Sequence, residues 1–426
     1  MLGTLSDTSA EYTFSGFEIT QTVAPEISTV VTAACARNAA ARFARLYFGS
    51  RALEDDGPPA EAAETLVRPG RWPGVLEALR APVRHLALVN RFAAAGVQER
   101  ARASQGLRAH AEIPLVCDCP DPAELDPRAA AFRAAVTVGD GAEGTPPRLA
   151  EAWRRSPEAE PSPLLPCCFL SGAAVLAAQA ARAAPGERVL DLCAGPGARV
   201  LVLASQLFGP AAPGPGSSAL EAAGAEAGVL AAPRLAAPVE SRGGCGGGLL
   251  VCNEPHRARS ALLEGVLSSF LPEELLGKGG RVVATKLEAS SRVAPGLRRH
   301  APFDKVLVAP PCAAARALAR CRGRAAEPDP AELQRSAELA QELLRCAAAL
   351  VRPGGTVVYA TGSLRDEETD GAVRRFLRRE GGGFDAEAGR DDSPIAGAER
   401  TALGTLVLPD QGTLHGPLYF ARVRRL

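Results

Sequence analysis

Lysine is almost absent from this chain. Of its 48 basic residues only Lys278, Lys286 and Lys305 are lysine, and the rest are arginine. Glycine and proline are abundant, with 43 and 35 residues, and aromatic residues make up only 4% of the sequence. This composition is typical of a GC-rich coding sequence, so the abundance of arginine does not by itself indicate binding to nucleic acid.

The chain also lacks net charge, long apolar runs and repeated cysteine pairs. Because 48 basic residues balance 48 acidic ones, the net charge does not predict whether the chain binds a polyanion or a basic partner. No apolar segment reaches about 18 residues without a charge, which argues against a transmembrane helix. The eleven cysteines are scattered, and Cys117–Cys119 and Cys167–Cys168 are too close together for ordinary zinc or disulfide spacing. We therefore expect thiols in a reducing compartment and no metal site.

The first 36 residues contain no lysine or arginine but include four acidic residues. This is the opposite of a basic, amphipathic transit peptide, so we expect none of that kind in this segment. The length of 426 residues allows two or three domains, each with its own core.

Residues 1–165 are expected to form a mostly helical N-terminal region with linkers. A helix is predicted over residues 29–49, a proline-rich linker over 50–71, and two short helices over 71–79 and 84–92. A strand is possible at 112–116. His85 would then be a histidine on a helix surface, because no acidic or cysteine partner lies one turn away.

Residues 166–426 alternate between strand and helix patterns. A helix at 172–183 leads into a strand at 188–191, and further strands are predicted at 249–252, 281–285, 305–308 and around 354–363, with a long helix at 330–350. Residues 208–248 have the glycine-rich composition of a flexible insertion. The alternation predicts an α/β fold with a doubly wound, mostly parallel sheet.

The stretch RVLDLCAGPGARV, residues 188–200, has the pattern of a strand, a tight glycine loop and a helix N-terminus. Glycine lets the backbone approach a ligand closely, and the carboxyl end of a strand in an open α/β sheet is where ligands bind. The spacing differs from the GxGxxG of dinucleotide-binding proteins, and no Walker lysine follows the loop. We therefore expect a ligand other than NAD or a nucleoside triphosphate.

The other strand ends carry further polar groups. Glu254 follows the second strand, where a carboxylate can accept hydrogen bonds from both hydroxyls of a ribose, and Glu288 follows the third, where it can accept from an adenine amino group. These positions fit a nucleoside cofactor without phosphates. For Glu254 an alternative of equal weight is that it only caps a helix beginning at Pro255.

Four ordered motifs carry a family resemblance: DLCAGPGAR, CNEP, FDKVLVAPPC and VVYATGSL. In this order and spacing they resemble the Sun/Fmu (NOP2/Sun domain) family of S-adenosylmethionine-dependent RNA cytosine-5 methyltransferases, over residues 166–426. The resemblance implies a Rossmann-like methyltransferase fold and S-adenosylmethionine as cofactor. The positions that it implies for cofactor binding are Cys193, Ala194, Gly195, Pro196, Gly197, Arg199, Glu254 and Glu288.

Shorter matches narrow the resemblance. Trp72-Pro73, the segment 87–90, and GPLYF at 416–420 with its basic continuation resemble the mitochondrial rRNA branch of the family. Members of that branch act on small-subunit rRNA and pair with an mTERF-family protein during assembly of the large ribosomal subunit. The resemblance therefore implies a mitochondrial location, rRNA as a ligand and an mTERF-family partner.

The chain departs from the family at the positions that carry the chemistry. The family's nucleophilic cysteine, in a Thr-Cys-Ser at the end of the fifth strand, corresponds to Gly362, and the aspartate that binds the edge of the cytosine corresponds to Ala309. Arg199 replaces a lysine and Glu288 an aspartate. The last two changes keep the charge, whereas glycine and alanine offer no functional group.

These departures predict a catalytically inactive protein that binds rRNA and acts in mitochondrial ribosome assembly, with weakened cofactor binding. The alternative is an active RNA methyltransferase that uses Cys312, although Cys312 also fits a buried cysteine after a cis-like Pro-Pro turn. A small-molecule methyltransferase is a third, less favoured, reading. The candidate RNA-binding residues are Arg316, Arg320, Arg322 and Arg324, which alternatively form a solvated arginine-rich loop.

Overall fold

The computed structural model describes residues 71–81, 83–121, 124–125, 127–138, 164–209, 247–289, 295–312, 330–387, 397–411 and 415–426. Fourteen strands in this part of the chain form two sheets. In chain order they are β1 (His85–Val89), β2 (Arg108–Ala109), β3 (Val116–Asp118), β4 (Thr137–Val138), β5 (Cys167–Ser171), β6 (Arg188–Asp191), β7 (Leu249–Asn253), β8 (Val282–Thr285), β9 (Phe303–Val308), β10 (Val351–Thr361), β11 (Phe384–Ala386), β12 (Ala398–Arg400), β13 (Thr405–Val407) and β14 (Leu418–Arg425).

Ten α-helices connect or cover these strands in the described ranges. They are α1 (Trp72–Arg80), α2 (Ala95–Ser104), α3 (Pro127–Ala135), α4 (Gly172–Ala180), α5 (Ala198–Phe208), α6 (Arg257–Phe270), α7 (Glu273–Leu276), α8 (Pro295–Arg298), α9 (Pro330–Leu350) and α10 (Asp370–Glu380).

The larger sheet has the doubly wound topology predicted from the sequence. Its strands follow the order β12-β13-β14-β10-β9-β6-β7-β8, and β11 pairs with β14. The five strands from β10 to β8 are parallel, whereas β14 is antiparallel to β10. The chain order of the parallel strands reverses beside β6, which places a crevice at the carboxyl end of β6.

Alternating side chains of the parallel strands fill two separate cores. On β6, Val189 packs into one hydrophobic cluster and Leu190 into the other, and on β7 Leu250 and Val251 divide in the same way. Successive residues of a strand point to opposite faces. A sheet that is covered on both faces therefore needs apolar residues at every position, which explains the unbroken apolar runs in these strands.

The N-terminal part of the chain contains a sheet that the sequence analysis missed. Five strands in the order β2-β3-β1-β5-β4 form it, so β5 from residues 167–171 joins the strands before it. The predicted helix at 84–92 is wrong, because His85–Val89 is the strand β1. Pairing on both sides with β3 and β5 buries nearly every side chain of β1, and this tertiary environment overrides the helix-like spacing.

Most predicted elements of the second region match the observed ones. The strands at 188–191 and 249–252 and the long helix at 330–350 are confirmed. The predicted strand at 112–116 overlaps β3 only at Val116. The predicted helix at 29–49, the linker before Arg71, most of the insertion and all four candidate RNA-binding arginines lie outside the described residues. Among the helices described, none is long and apolar enough to cross a membrane.

Candidate functional site

The parallel strands bring their carboxyl ends to one edge of the larger sheet. Asp191, the last residue of β6, lies opposite Cys252 of β7 and Leu307 of β9. Asn253 at the end of β7 lies opposite Thr285 at the end of β8. The loops that follow these strands therefore surround one crevice. The predicted site residues in the described ranges lie in those loops, except Arg199, which lies in the first turn of α5.

The loop after β6 turns sharply into α5. Gly195 and Gly197 have φ angles of 57° and 107°, in the left-handed region that favours glycine. A β-carbon on Gly197 would lie 3.1 Å from Leu263 Cδ1 and 3.2 Å from Val266 Cγ1 of α6. Gly197 is therefore required both for the turn and for the close packing of α6 behind it.

An ion pair between the buried Asp191 and Arg199 stabilises this loop. The Asp191 side chain is fully buried and accepts hydrogen bonds from the Cys193 amide at 3.2 Å and from Arg199 Nε at 3.4 Å. Arg199 Nη2 also donates to the carbonyl oxygen of Cys193. Burial raises the pKa of Asp191, and the Arg199 guanidinium opposes that shift. Arg199 is predicted to bind the cofactor. Its contacts with Asp191 and with the Cys193 carbonyl oxygen fix the shape of the loop.

Glu254 joins the second strand end to the glycine loop. Its side chain is only 3% exposed; Oε2 accepts from the Gly195 amide at 3.1 Å, and Oε1 accepts from the His256 amide at 2.9 Å and from Arg259 Nη2 at 3.0 Å. The helix that follows begins at Arg257, not at Pro255. Glu254 therefore orders the turn before that helix and, at the same time, faces the loop of the crevice.

Asn253 is a site residue that the sequence analysis missed. Its Oδ1 accepts from Thr285 Oγ1 at 2.8 Å and from the Leu287 amide at 2.9 Å, and its Nδ2 donates to the carbonyl oxygens of Leu192 and Leu287 at 3.3 and 2.9 Å. One buried side chain thus ties together the loops after β6, β7 and β8. The available signal was a polar residue at the end of an apolar strand, directly before Glu254.

Glu288 lies three residues beyond the end of β8, and its residue is exposed. Its Oε1 accepts a hydrogen bond from the Ala289 amide at 3.0 Å. Glu288 therefore lies in the loop that follows the third strand, as the sequence analysis expected, with its carboxylate at the surface.

The end of β9 carries Ala309 and Cys312. The backbone of Ala309 forms a hydrogen bond to the Cys193 thiol, which lowers the pKa of that thiol. Burial has the larger, opposite effect and raises the pKa to about 12, so Cys193 is a poor source of thiolate at neutral pH. Cys312 is partly exposed, which corrects the expectation of a buried cysteine. The cis peptide bonds in the described part of the chain are Ala301–Pro302 and Gly416–Pro417, so the expected cis-like Pro310-Pro311 turn is also wrong.

Gly362 follows β10, the strand next to β9, and it is partly exposed. Thr361 and Ser363 on either side are buried, and the Ser363 amide donates to Thr361 Oγ1 at 3.1 Å. A β-carbon on Gly362 would lie 3.8 Å from the Pro417 carbonyl oxygen, an ordinary van der Waals distance. This position at the crevice has space for a side chain and lacks one.

His415 stands two residues before Pro417 and connects the crevice to the smaller sheet. Its ring centroid lies 5.5 Å from that of His110, and a β-carbon on Gly172, at the start of α4, would lie 2.6 Å from the His415 ring. Burial lowers the pKa of His415 to about 4. The imidazole is therefore neutral at physiological pH and packs as part of the contact between the two sheets.

Glu254 can accept one further hydrogen bond at the crevice. A carboxylate offers about four acceptor directions, and Glu254 uses three of them for its described partners, which leaves one for a hydroxyl donor. The partly exposed backbone of Gly195 and Pro196 offers a close approach beside it. Among the described residues no group of three histidine, cysteine or acidic side chains is arranged to hold a metal ion.

Comparison with known proteins finds relatives that are named as RNA methyltransferases. Residues 280–405 match the family model of the 16S rRNA methyltransferase RsmB/F. The mouse mitochondrial tRNA (cytosine(34)-C(5))-methyltransferase is 27% identical over 265 residues, which are 60% of this chain and 63% of the mouse protein. The ribosomal RNA small subunit methyltransferase B of Thermus thermophilus is 30% identical over 257 residues, 60% of this chain and 49% of that protein. The matches thus span less than two thirds of these relatives.

Two solved structures share the fold. A methyltransferase homologue from Pyrococcus horikoshii superposes with a TM-score of 0.54 at 14% identity, covering 95% of this chain and 100% of that one. NSun6 from Pyrococcus horikoshii, crystallised with SFG, gives a TM-score of 0.51 at 13% identity, covering 84% and 95% of the two chains. The predicted Rossmann-like methyltransferase fold is confirmed.

Proposed function

We propose that this chain is a catalytically inactive relative of the RNA cytosine-5 methyltransferases, and that it binds rRNA in mitochondrial ribosome assembly. Residues 280–405 match the RsmB/F family model, and the mouse relative is a tRNA cytosine-5 methyltransferase. The observation that carries the proposal is the pair of small residues at two neighbouring strand ends. Gly362 follows β10 and Ala309 follows β9.

Methylation of cytosine at carbon 5 needs two groups at these positions. A thiolate must first add to carbon 6 of the cytosine. Carbon 5 becomes nucleophilic enough to accept the methyl group only in that covalent adduct. A hydrogen-bonding group must also stabilise the charge that develops along the N3 and N4 edge of the ring. Glycine and alanine supply neither group, whereas the scaffold around them is retained.

The remaining chemistry of the crevice concerns the cofactor. S-adenosylmethionine, when bound, supplies the methyl group. The residues suited to hold it are Glu254, as acceptor for a ribose hydroxyl, the backbone from Cys193 to Gly197, and Glu288 on the adenine side. Asn253 and Arg199 would act by keeping these loops in position. We propose that binding persists but is weaker than in active members.

The location and partners rest on the relatives. The mouse and zebrafish relatives are mitochondrial enzymes, and the Thermus relative is a small-subunit rRNA methyltransferase. Together with the resemblance of Trp72-Pro73 and the GPLYF segment to the mitochondrial rRNA branch, this supports a mitochondrial protein with rRNA and an mTERF-family protein as partners. Affinity capture from mitochondria tests this part: recovery of an mTERF-family protein or a large-subunit precursor supports it, and recovery of neither contradicts it.

An active enzyme that uses Cys312 is the second candidate, favoured by the partial exposure of this cysteine at the end of β9. One assay separates the two. Purified protein is incubated with labelled S-adenosylmethionine and unmethylated rRNA, and transfer to carbon 5 of cytosine is measured for the wild type and for Cys312→Ala. We expect no transfer by either protein. Transfer that is lost in Cys312→Ala would establish the second candidate.

A further inference from the structure

A groove of about 630 Å³ lies between helices α9 and α10. This volume is within the range of sites that hold drug-sized ligands. The charged residues that line it are Glu338, Glu342, Glu367, Arg345, Arg365, Arg375 and Arg379. Its two walls differ in charge.

The wall formed by α10 is basic. Arg375 and Arg379 are one helical turn apart and exposed, and neither forms an ion pair with the described residues. Arg375 Nη2 donates to the carbonyl oxygen of Glu367, and both residues line the groove. Two guanidinium groups at this spacing can contact successive phosphates of a nucleic-acid strand.

The opposite wall, on α9, carries Glu338 and Glu342, also one turn apart. Glu342 lies 4.0 Å from Arg345, and Glu338 accepts a hydrogen bond from Gln334 at 2.8 Å. Both carboxylates retain further acceptor directions. Arg345 on the same helix offsets one of these two negative charges. The remaining negative charge favours an occupant that presents hydrogen-bond donors to this wall and negative charge to the other.

The groove is connected to the crevice. Arg365, at its mouth, donates from its backbone amide to Ser363 Oγ at 3.2 Å, and Ser363 is the neighbour of Gly362. Arg365 Nε also lies 3.6 Å from a Glu367 carboxylate oxygen. Arg365 follows Gly362 by three residues, so their Cα atoms are at most about 11 Å apart. An RNA strand with one nucleotide near Gly362 is therefore within about two nucleotides of a residue that lines the groove.

We propose that this groove binds single-stranded RNA, with the phosphates along Arg375 and Arg379 and the bases turned toward Glu338 and Glu342. The inference rests on the proposed binding of RNA. It adds the route of the strand along the groove and a preference for one base at the acidic wall. A single strand has anionic phosphates on one side and base edges on the other, which matches the two walls. Guanine presents adjacent N1–H and N2–H donors, the best match for a carboxylate.

A protein partner fits this groove less well. Protein interfaces depend on buried aromatic and large apolar anchors. Of the described residues, the large hydrophobic side chain that is exposed is Leu426, at 67%, and it does not line the groove.

The basic wall is tested by the salt dependence of RNA binding. Full-length Arg375→Gln/Arg379→Gln is compared with the wild type and with the control Arg102→Gln/Arg108→Gln, which removes two exposed arginines elsewhere. With a short single-stranded RNA, loss of two phosphate contacts should reduce the slope of log K against log [salt] by about 1.4 and weaken binding roughly tenfold near physiological salt. The control should bind as the wild type does.

The acidic wall is tested by two RNAs that differ only in guanosine or inosine, since inosine lacks the N2 amino group. The wild type should prefer guanosine by about fivefold or more. Glu338→Ala/Glu342→Ala should lose this preference, and the control Glu273→Ala/Glu274→Ala, at two exposed acids on α7, should retain it.

An unchanged salt slope in the arginine variant, an equal change in its control, or a wild type without base preference would overturn the inference while leaving RNA binding intact. In the first of these cases Arg375 and Arg379 would not contact RNA phosphates. A wild type that binds no RNA would instead remove the proposed function itself, so the two failures are distinguishable. Unchanged melting temperatures confirm that the variants are folded.

Discussion

A β-carbon on Gly362 would lie 3.8 Å from the carbonyl oxygen of Pro417, which is an ordinary van der Waals distance, so a β-carbon fits at this position without a clash. Gly362 is not among the described glycines with a positive φ, and a larger residue can therefore adopt its backbone conformation. The loss of function that we propose is a loss of groups within an intact scaffold. It should be reversible by substitution.

We expect Gly362→Cys combined with Ala309→Asp to gain a covalent step. The thiol would stand at the position of the family nucleophile, with a carboxyl group on the neighbouring strand end. The measurement is a denaturation-resistant adduct with RNA that contains 5-fluorocytosine, in the presence of S-adenosylmethionine. Gly362→Ser with Ala309→Asp is the matched control, because the hydroxyl is similar in shape but a much weaker nucleophile. An adduct formed equally by wild type would contradict the inactive assignment.

Glu254→Gln should weaken the binding of S-adenosylhomocysteine. The substitution keeps the shape of the side chain but removes the charge that strengthens its hydrogen bonds to the loop and to a ribose hydroxyl. We expect affinity to fall by about tenfold or more, as for the loss of a charge-assisted hydrogen bond. Calorimetry measures this effect, with exposed Glu288→Gln as the comparison, where a smaller loss is expected. Equal affinity of wild type and Glu254→Gln would exclude Glu254 from the cofactor site.

Gly197→Ala should destabilise the fold more than Gly279→Ala. Both glycines have positive φ angles, 107° and 84°. A β-carbon at Gly197 meets Leu263 and Val266, whereas none of the described atoms lies within 4 Å of one at Gly279. We expect losses in the free energy of unfolding of about 3 and about 1 kcal/mol, measured by chemical denaturation. Equal losses would mean that α6 moves aside at little cost.

Stability should fall as the pH is lowered from 6.5 toward 4, because His415 must be neutral in the folded protein. Burial lowers its pKa from 6.5 to about 4, with smaller lowering effects from His110 and Arg84 and raising effects from Asp118 and Glu112. The unfolded state binds more protons in this window, so the contribution of His415 is complete above pH 6.5 and decreases below it.

The size of this effect is at most about 3 kcal/mol. Denaturation curves at several pH values should show a shallower pH dependence for His415→Asn than for the wild type, and the same substitution at exposed His256 is the control. A pH dependence that is unchanged in His415→Asn would show that other groups are responsible.

The site residues that can be predicted from the sequence are those whose role depends on neighbouring residues in the chain. Gly195 and Gly197 are predictable because a glycine loop between a strand and a helix lets the backbone approach a ligand closely, and Glu254 because it directly follows a strand. The contacts of Arg199 and Asn253 could not be predicted, since their partners are distributed among loops that are separate in sequence. The strand β1 is also determined by distant partners. Its apolar spacing is compatible with a helix, and only the pairing with β3 and β5 makes it a strand.

The sequence by itself determined the alternating α/β fold, the loops at the strand ends, and the presence of glycine and alanine at positions 362 and 309, because these depend on residue type and local order. Only the tertiary structure decided that Asn253 ties three loops together, that a side chain fits at Gly362, and that Arg375 and Arg379 face Glu338 and Glu342 across a groove. These features depend on distances between segments that are far apart in the chain, and packing alone fixes those distances.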